Sequence, residues 1–293
     1  MEKMNIDEWQ RRGEYFSYQG LSIYWQQRGN VDAPTLLLIH GFPTSSWDWH
    51  KVMDYLSQSF RVITLDMLGF GFSDKPSKFD YSIEVQADIC ELLLKKLAVK
   101  QYAIVAHDYG DTVAQELIAR QGQMPNATPI SACCFLNGGI FPEAHKALRI
   151  QKLMLSPLGS LIAKAVNFER FSQNLKRICH QPISNAELES QWQLININDG
   201  KKVMHKLIHY ISERRKNRAR WVGALAKSNL PLCLIAGTQD PISGASMIRR
   251  FEQSLPTAAV IRLKDAGHYP QLESPHTVAK QAQAFLTMHT CNA

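Results

Sequence analysis

The sequence predicts an α/β fold, a mostly parallel sheet flanked by helices, with an all-helical segment inserted past its middle. Three observations carry this expectation. Short, largely apolar runs recur along the chain, amphipathic patterns at helical spacing separate them, and the rhythm stops between Phe141 and about Ser228. Runs that stay apolar instead of alternating are strands buried on both faces, as in a parallel sheet covered by helices.

Leu21–Trp25 reads as the first strand, joining an antiparallel edge. Thr35–Ile39 follows and ends in His40-Gly-Phe-Pro43; then come Arg61–Leu65, Tyr102–Ala106, Ile130–Leu136, Pro231–Ala236 and Ala258–Leu263. Between them Ile83–Leu97 places Ile83, Ala87, Cys90, Leu93, Leu94 and Leu97 on one helical face. Ser274-Pro275 opens the last helix, with proline in its first turn. In the strand-free segment Leu148–Leu155 and Leu161–Val166 read as helices broken apart by Pro157 and Gly159. Ser184 and Glu187 have capping-box spacing. Asn198-Asp-Gly200 is a turn before a basic helix through Lys206 and Tyr210. The expected division is one α/β core made of residues 1–140 and 229–293, with residues 141–228 as a helical cap.

With 293 residues, 45% of them hydrophobic and 20% charged, the chain can bury a sizeable core. No apolar run reaches the roughly 18 residues of a membrane helix, and the first twelve residues are polar, unlike a signal peptide. The expected location is the cytoplasm. Cys90, Cys133, Cys134, Cys179, Cys233 and Cys291 form neither a CxxC pair nor a zinc-like set, so buried thiols are expected, with no metal and no cofactor. The formal charge is +7, and Arg214, Arg215, Lys216, Arg218 and Arg220 supply much of the excess. No interleaved aromatics or nucleic-acid motif accompany them, so nucleic acid is not expected. The run reads as a solvated helix face, with weak contact to an anionic membrane surface as the sharper alternative.

The chemistry lies at strand ends. Ala106-His-Asp-Tyr-Gly110 sits between a strand and an amphipathic helix and matches the nucleophile elbow with Asp108 in the serine position. The turn is so tight that small residues must flank it, and Ala106 and Gly110 supply them. A carboxylate there faces a helix N-terminus, which favours its charged form; a structural helix-capping Asp is the competing reading. Asp240 follows one later strand and His268 follows the last, giving the order nucleophile, acid, histidine that such a site requires. The backbone N–H groups of Phe42 and Tyr109 would form an oxyanion hole. No G-x-S-x-G occurs anywhere in the chain.

His40-Gly-Phe-Pro43, Gly69-Phe-Gly-Phe-Ser-Asp-Lys75 and His107-Asp-Tyr-Gly110 resemble the epoxide hydrolase and haloalkane dehalogenase branch of the α/β-hydrolases. The blocks beginning at His40, His107, Asn137, Arg220 and His268 resemble, more narrowly, the mesoderm-specific transcript protein subfamily. This resemblance implies an α/β-hydrolase fold with an eight-stranded sheet and an ester-intermediate mechanism. Asp108 would attack an electrophilic carbon, and His268, oriented by Asp240, would activate water against the resulting ester. Dehalogenases of this branch commonly carry Trp after the nucleophile and often Asn after His-Gly. Here Tyr109 and Phe42 stand there, which disfavours halide release. Fluoroacetate dehalogenases usually carry Arg after the nucleophile, and Tyr109 counts against them too. Epoxide hydrolases use cap tyrosines to protonate the epoxide oxygen. Tyr210 is the one evident candidate, since Val222 follows Trp221 where the branch often has Tyr. Tyr210, His40 and Trp221 are the candidate contacts to a small, apolar substrate. Asp111 departs from the small residue usual there; it is either a second carboxylate near the site or a first-turn helix charge. The alternatives are a lipid or acyl-ester hydrolase or acyltransferase, and a non-catalytic receptor of the same fold.

Overall fold

Successive side chains of a strand point to opposite faces, so an all-apolar strand must be covered on both sides. The computed structural model, which describes residues 4–124 and 126–290, meets this demand with eight strands. They are β1 (Glu14–Tyr18), β2 (Leu21–Arg28), β3 (Thr35–Ile39), β4 (Arg61–Leu65), β5 (Tyr102–His107), β6 (Ile130–Leu136), β7 (Leu232–Gly237) and β8 (Ala259–Leu263). Their spatial order is β1-β2-β4-β3-β5-β6-β7-β8. β2 runs antiparallel to both β1 and β4, and every other pairing is parallel. Leu37 stands opposite Ile63 on one side and Ile104 on the other, which fixes the central register.

Leu37, Ile39, Ile104, Ala106 and Phe135 face one apolar layer, with helices Ile83–Lys96, Tyr109–Gln121 and Ala245–Ser254. Leu36, Leu38, Ala103, Val105 and Cys134 face the other, with Trp9, Met53 and helix Pro275–Thr290. Burial of both faces is therefore complete at the sheet centre, where β5 lies. The five described cysteines are free thiols, four of them buried; Cys291 lies outside the described residues. Among the described residues no helix is long and apolar enough to cross a membrane.

The structure corrects several local readings. β2 is longer than the Leu21–Trp25 segment and lies inside the sheet, because β1 takes the edge. Glu14–Tyr18 is half polar and buries only Phe16 and Tyr18, so it lacks the apolar run that marks the central strands. The polar start of the chain carries a helix, Ile6–Arg11, that buries Ile6 and Trp9. Between β6 and β7 lie helices Arg149–Met154, Gly159–Ala165, Phe168–Ile178, Asn185–Asn196, Met204–Leu207, Tyr210–Lys216 and Arg218–Lys227. The single basic helix expected through Lys206 and Tyr210 is thus two short ones. Only half of the capping box forms: the Ser184 hydroxyl accepts from Glu187 N–H at 3.2 Å. The Glu187 carboxylate turns away, accepting from Trp47 Nε1 at 2.9 Å and facing Lys51 Nζ at 3.2 Å. A buried indole N–H and an ammonium together outbid one backbone N–H at a helix start.

Candidate active site

β5 ends at His107 and the next helix begins at Tyr109, leaving a single residue to reverse direction. That residue, Asp108, has φ 46° and ψ −101°, outside the regions L-residues favour. The turn closes because Gly110 has no side chain: a Cβ there would lie 2.4 Å from the Ile39 carbonyl oxygen. Strain of this kind, costing about 1–3 kcal/mol, persists where surroundings over-determine it and clusters at active sites. Here the main restraint is Arg214. Its Nη2 donates to the Asp108 carbonyl oxygen at 2.6 Å and its Nε to Thr112 Oγ1 at 2.7 Å.

The Asp108 carboxylate is 3% exposed and surrounded by donors. Phe42 N–H reaches Oδ2 at 3.3 Å, and the Tyr210 hydroxyl lies 3.2 Å from both oxygens. Arg214 Nη2 is 3.5 Å from Oδ1. Burial alone would push this carboxyl's pKa up; Arg214 foremost, then His268 and His107, outweigh burial and hold it below the ordinary value. The balance of these influences leaves the charged carboxylate as the favoured form.

His268 follows β8, and its Nδ1 lies 2.8 Å from Asp240 Oδ2. Burial disfavours the charged imidazole, but Asp240, bonded to the ring, and then Asp108 raise its pKa above the ordinary histidine value. Asp240 is fixed in turn by Ser243 Oγ at 2.5 Å, Ile242 N–H at 2.7 Å and Asn137 Nδ2 at 2.9 Å. Asn137 itself has φ 35° and also bonds Gly237 N–H, tying the end of β6 to the end of β7. The His268 loop hangs on Glu273, whose two oxygens accept from the N–H groups of Gly267, Tyr269, His180 and Gln181 at 2.7–3.0 Å. One carboxylate thereby joins the histidine loop to the helical segment.

Tyr210 is fully buried, its ring between Phe42 and Tyr109 with centroids 6.0 and 4.8 Å away. Arg214 lies over its face at 4.4 Å. A cavity of about 360 Å³ ends on Phe42, His268 and Tyr269 beside this cluster, and Met154, Ile162, Phe171 and Leu175 line it from the helical segment.

None of the three expected substrate contacts, Tyr210, His40 and Trp221, is among the residues lining this cavity, and the last two are held elsewhere. His40 is fully buried with both ring nitrogens taken: Nε2 accepts from Met67 N–H at 3.1 Å, so Nδ1–H donates to the Gly41 carbonyl at 2.9 Å. Burial lowers its pKa to about 3, and the ring braces the loop that presents Phe42. Trp221 is 1% exposed and donates from Nε1 to Glu116 Oε2 at 2.7 Å, locking the helical segment onto the helix after Asp108. The solvated basic face also needs correction. Arg214 is 1% exposed, Arg220 binds Glu116 through two nitrogens, and Arg218 binds Glu143; only Arg215 and Lys216 stand free in solvent.

Sequence reasoning missed Arg214 as a site residue because its run of basic neighbours reads as surface. It missed His145 as well. That ring is held near pKa 3 by burial and by Arg214, and it also feels the charges of Asp108 and His268. Asp111, left open between two readings, is fully buried against Gly138, and neither carboxyl oxygen has a hydrogen-bond partner. Burial pushes its pKa well above the ordinary carboxyl value despite Arg214, the opposite direction to Asp108 near the same guanidinium. Among the described residues no group of three or more His, Cys, Asp or Glu side chains could hold a metal ion.

Known proteins agree with this architecture. Haloalkane dehalogenase DbeA from Bradyrhizobium elkani USDA94 superposes with a TM-score of 0.80 at 20% identity, covering 96% of this chain and 99% of the other, a likeness of fold alone. Epoxide hydrolase 3 of Xenopus tropicalis is 24% identical over 286 residues, covering 91% of this chain and 75% of that protein. The mesoderm-specific transcript homolog protein of Bos taurus is 44% identical over 285 residues, covering 92% of this chain and 84% of its relative. The family described as alpha/beta hydrolase fold matches residues 34–275, and with these relatives it establishes that the chain belongs to the α/β-hydrolase family, alongside the mesoderm-specific transcript proteins.

Proposed function

We propose that the protein is a hydrolase that opens an epoxide or a related small electrophile through a covalent ester on Asp108. The observation supporting this reading is which oxygen occupies the hole. In serine acyl transfer the donors await the substrate's carbonyl oxygen, whereas here Phe42 N–H already holds Oδ2 of Asp108. A donor already on the enzyme's own carboxyl supports an oxyanion that forms there, with Oδ1 left to attack carbon.

In this mechanism Oδ1 bonds to the epoxide carbon, the C–O bond breaks, and the freed oxygen takes the proton of Tyr210. Arg214, 4.4 Å over the Tyr210 ring, offsets the phenolate charge. The ester removes the Asp108 charge, one of the influences holding a proton on His268, and so frees more of the ring as neutral base. His268 then takes a proton from water, and hydroxide adds to the Asp108 carboxyl carbon. The oxyanion on Oδ2 is stabilised by the N–H groups of Phe42 and Tyr109, and collapses to release the alcohol, which takes the His268 proton. The second proton of the water passes from the Asp108 carboxyl back to Tyr210 along the 3.2 Å hydrogen bond.

Incubating His268→Gln protein with a panel of epoxides, haloalkanes and acyl esters tests the reading. The expected result is an adduct on the Asp108 peptide equal to the full mass of an epoxide. An acyl adduct, or turnover of esters alone, would overturn it.

A further inference from the structure

Most of the large hydrophobic side chains exposed on the described surface stand alone in the chain: Tyr15, Leu92 and Met288 on three different elements, Val31 and Met124 in two different connections. Isolated cases of this kind need no explanation. Three do not stand alone. Leu153, Leu158 and Leu161 are 53%, 60% and 61% exposed within nine residues, on the paired short helices Arg149–Met154 and Gly159–Ala165 and the turn between them. The same helices line the cavity that ends at His268, and Leu153 belongs to both the cavity wall and the surface. Through Leu153 the apolar patch borders the cavity, and Leu158 and Leu161 extend that rim along the same pair of helices.

The charge around it is one-sided. Between Glu143 and Glu187 the chain carries Lys146, Arg149, Lys152, Lys164, Arg170, Lys176 and Arg177 against a single acid, Glu169, which accounts for six of the seven net positive charges of the protein. All seven are exposed, and none forms an ion pair among the described residues. Arg214, Arg218 and Arg220, by contrast, are tied to Asp108, Glu143 and Glu116. Unpaired Arg149, Lys152 and Lys164 on the same two helices as the exposed leucines match a bilayer carrying anionic headgroups: the leucines reach the acyl boundary while the long basic side chains stay among phosphates.

We propose that this rim docks the cavity mouth onto an anionic phospholipid bilayer. If the reading of the active site given above holds, the substrate is an apolar electrophile that partitions into lipid and enters from the membrane. A bilayer suits the patch better than an acidic protein, because a docked protein would close the mouth that lipid would feed.

Co-sedimentation of the full chain with vesicles tests the docking without any substrate. The protein should bind phosphatidylcholine vesicles containing about a third phosphatidylglycerol at about 50 mM salt, and release as salt rises to about 0.5 M. Leu158→Asp/Leu161→Asp should weaken binding at least about tenfold, because it places charges where apolar contact is required. Lys152→Gln/Lys164→Gln should weaken it roughly fivefold per charge removed and flatten the salt dependence. All four positions are exposed, so thermal unfolding should be unchanged. Absence of binding to anionic vesicles, equal binding by either double variant, or equal binding to pure phosphatidylcholine would overturn the proposal. Failure of turnover on every epoxide with vesicle binding intact would instead count against the active-site reading alone.

Discussion

Replacing Arg214 by Met is the sharpest way to ask what holds Asp108 in its strained, ionised state. The guanidinium is 1% exposed and makes hydrogen bonds of 2.6 Å to the Asp108 carbonyl and 2.7 Å to Thr112, with Asp108 Oδ1 at 3.5 Å. Removing it leaves a buried carboxylate without its counter-ion, and breaking such a pair from one side costs about 3–5 kcal/mol. The loss should depend on pH. In the native protein the folded Asp108 pKa lies below its unfolded value, so the group contributes stability above the unfolded value that is lost as pH falls through the folded one. Without Arg214, burial, which raises the pKa, is no longer outweighed. The folded value then rises above the unfolded one, and the group costs stability increasingly as pH climbs. The deficit of Arg214→Met should therefore be largest near neutral pH and shrink toward about pH 4, where the unfolded carboxyl also takes a proton. Urea unfolding followed by circular dichroism at several pH values measures this. A deficit independent of pH would reduce Arg214 to packing, and one below about 1 kcal/mol at neutral pH would refute the argument.

Other expectations follow from the same geometry. Tyr210→Phe removes one hydroxyl and almost no volume, so epoxide turnover should fall by about 10²-fold or more with the fold intact; an unchanged rate would assign Tyr210 to packing. Asp108 is held below and His268 above their ordinary pKa values. Acidification should therefore stop ester hydrolysis before ester formation, and the alkyl-enzyme should accumulate toward acid pH in rapid-quench mass spectrometry. Burial holds the Asp111 pKa above its unfolded value, so its contribution to stability falls as pH rises above the unfolded carboxyl value. Asp111→Asn should remove that slope, up to about 1.4 kcal/mol per pH unit, from the unfolding free energy.

What could be read in the sequence and what could not differ for physical reasons. β3 to β7 were legible because a strand covered on both faces is largely apolar, and β8, an edge strand, because Ala-Val-Ile-Arg-Leu is still mostly apolar. β1 was not, since Glu14 and Ser17 break its apolar run and it buries only Phe16 and Tyr18. Asp108, Asp240 and His268 were legible because each follows a strand, and the fold brings those strand ends together. His40 and Trp221 were misread because their partners, Met67 N–H, the Gly41 carbonyl and Glu116, exist only in three dimensions. Arg214 was hidden for a related reason: a basic run looks the same whether one member turns inward or none does. Its Nη1 packs against Gly139, where a Cβ would lie 2.1 Å away, so the Asn137-Gly-Gly139 block was the one sequence clue that something bulky sits there.

The most direct test of the central claim, that Asp108 itself bonds to substrate carbon, is a single turnover of an epoxide in ¹⁸O-labelled water with enzyme in excess. The oxygen delivered to carbon should come from the Asp108 carboxylate, leaving the first product unlabelled and placing ¹⁸O in the Asp108 peptide. Label in the first product, with none in Asp108, would mean that water attacks the substrate directly, and the covalent mechanism would be wrong.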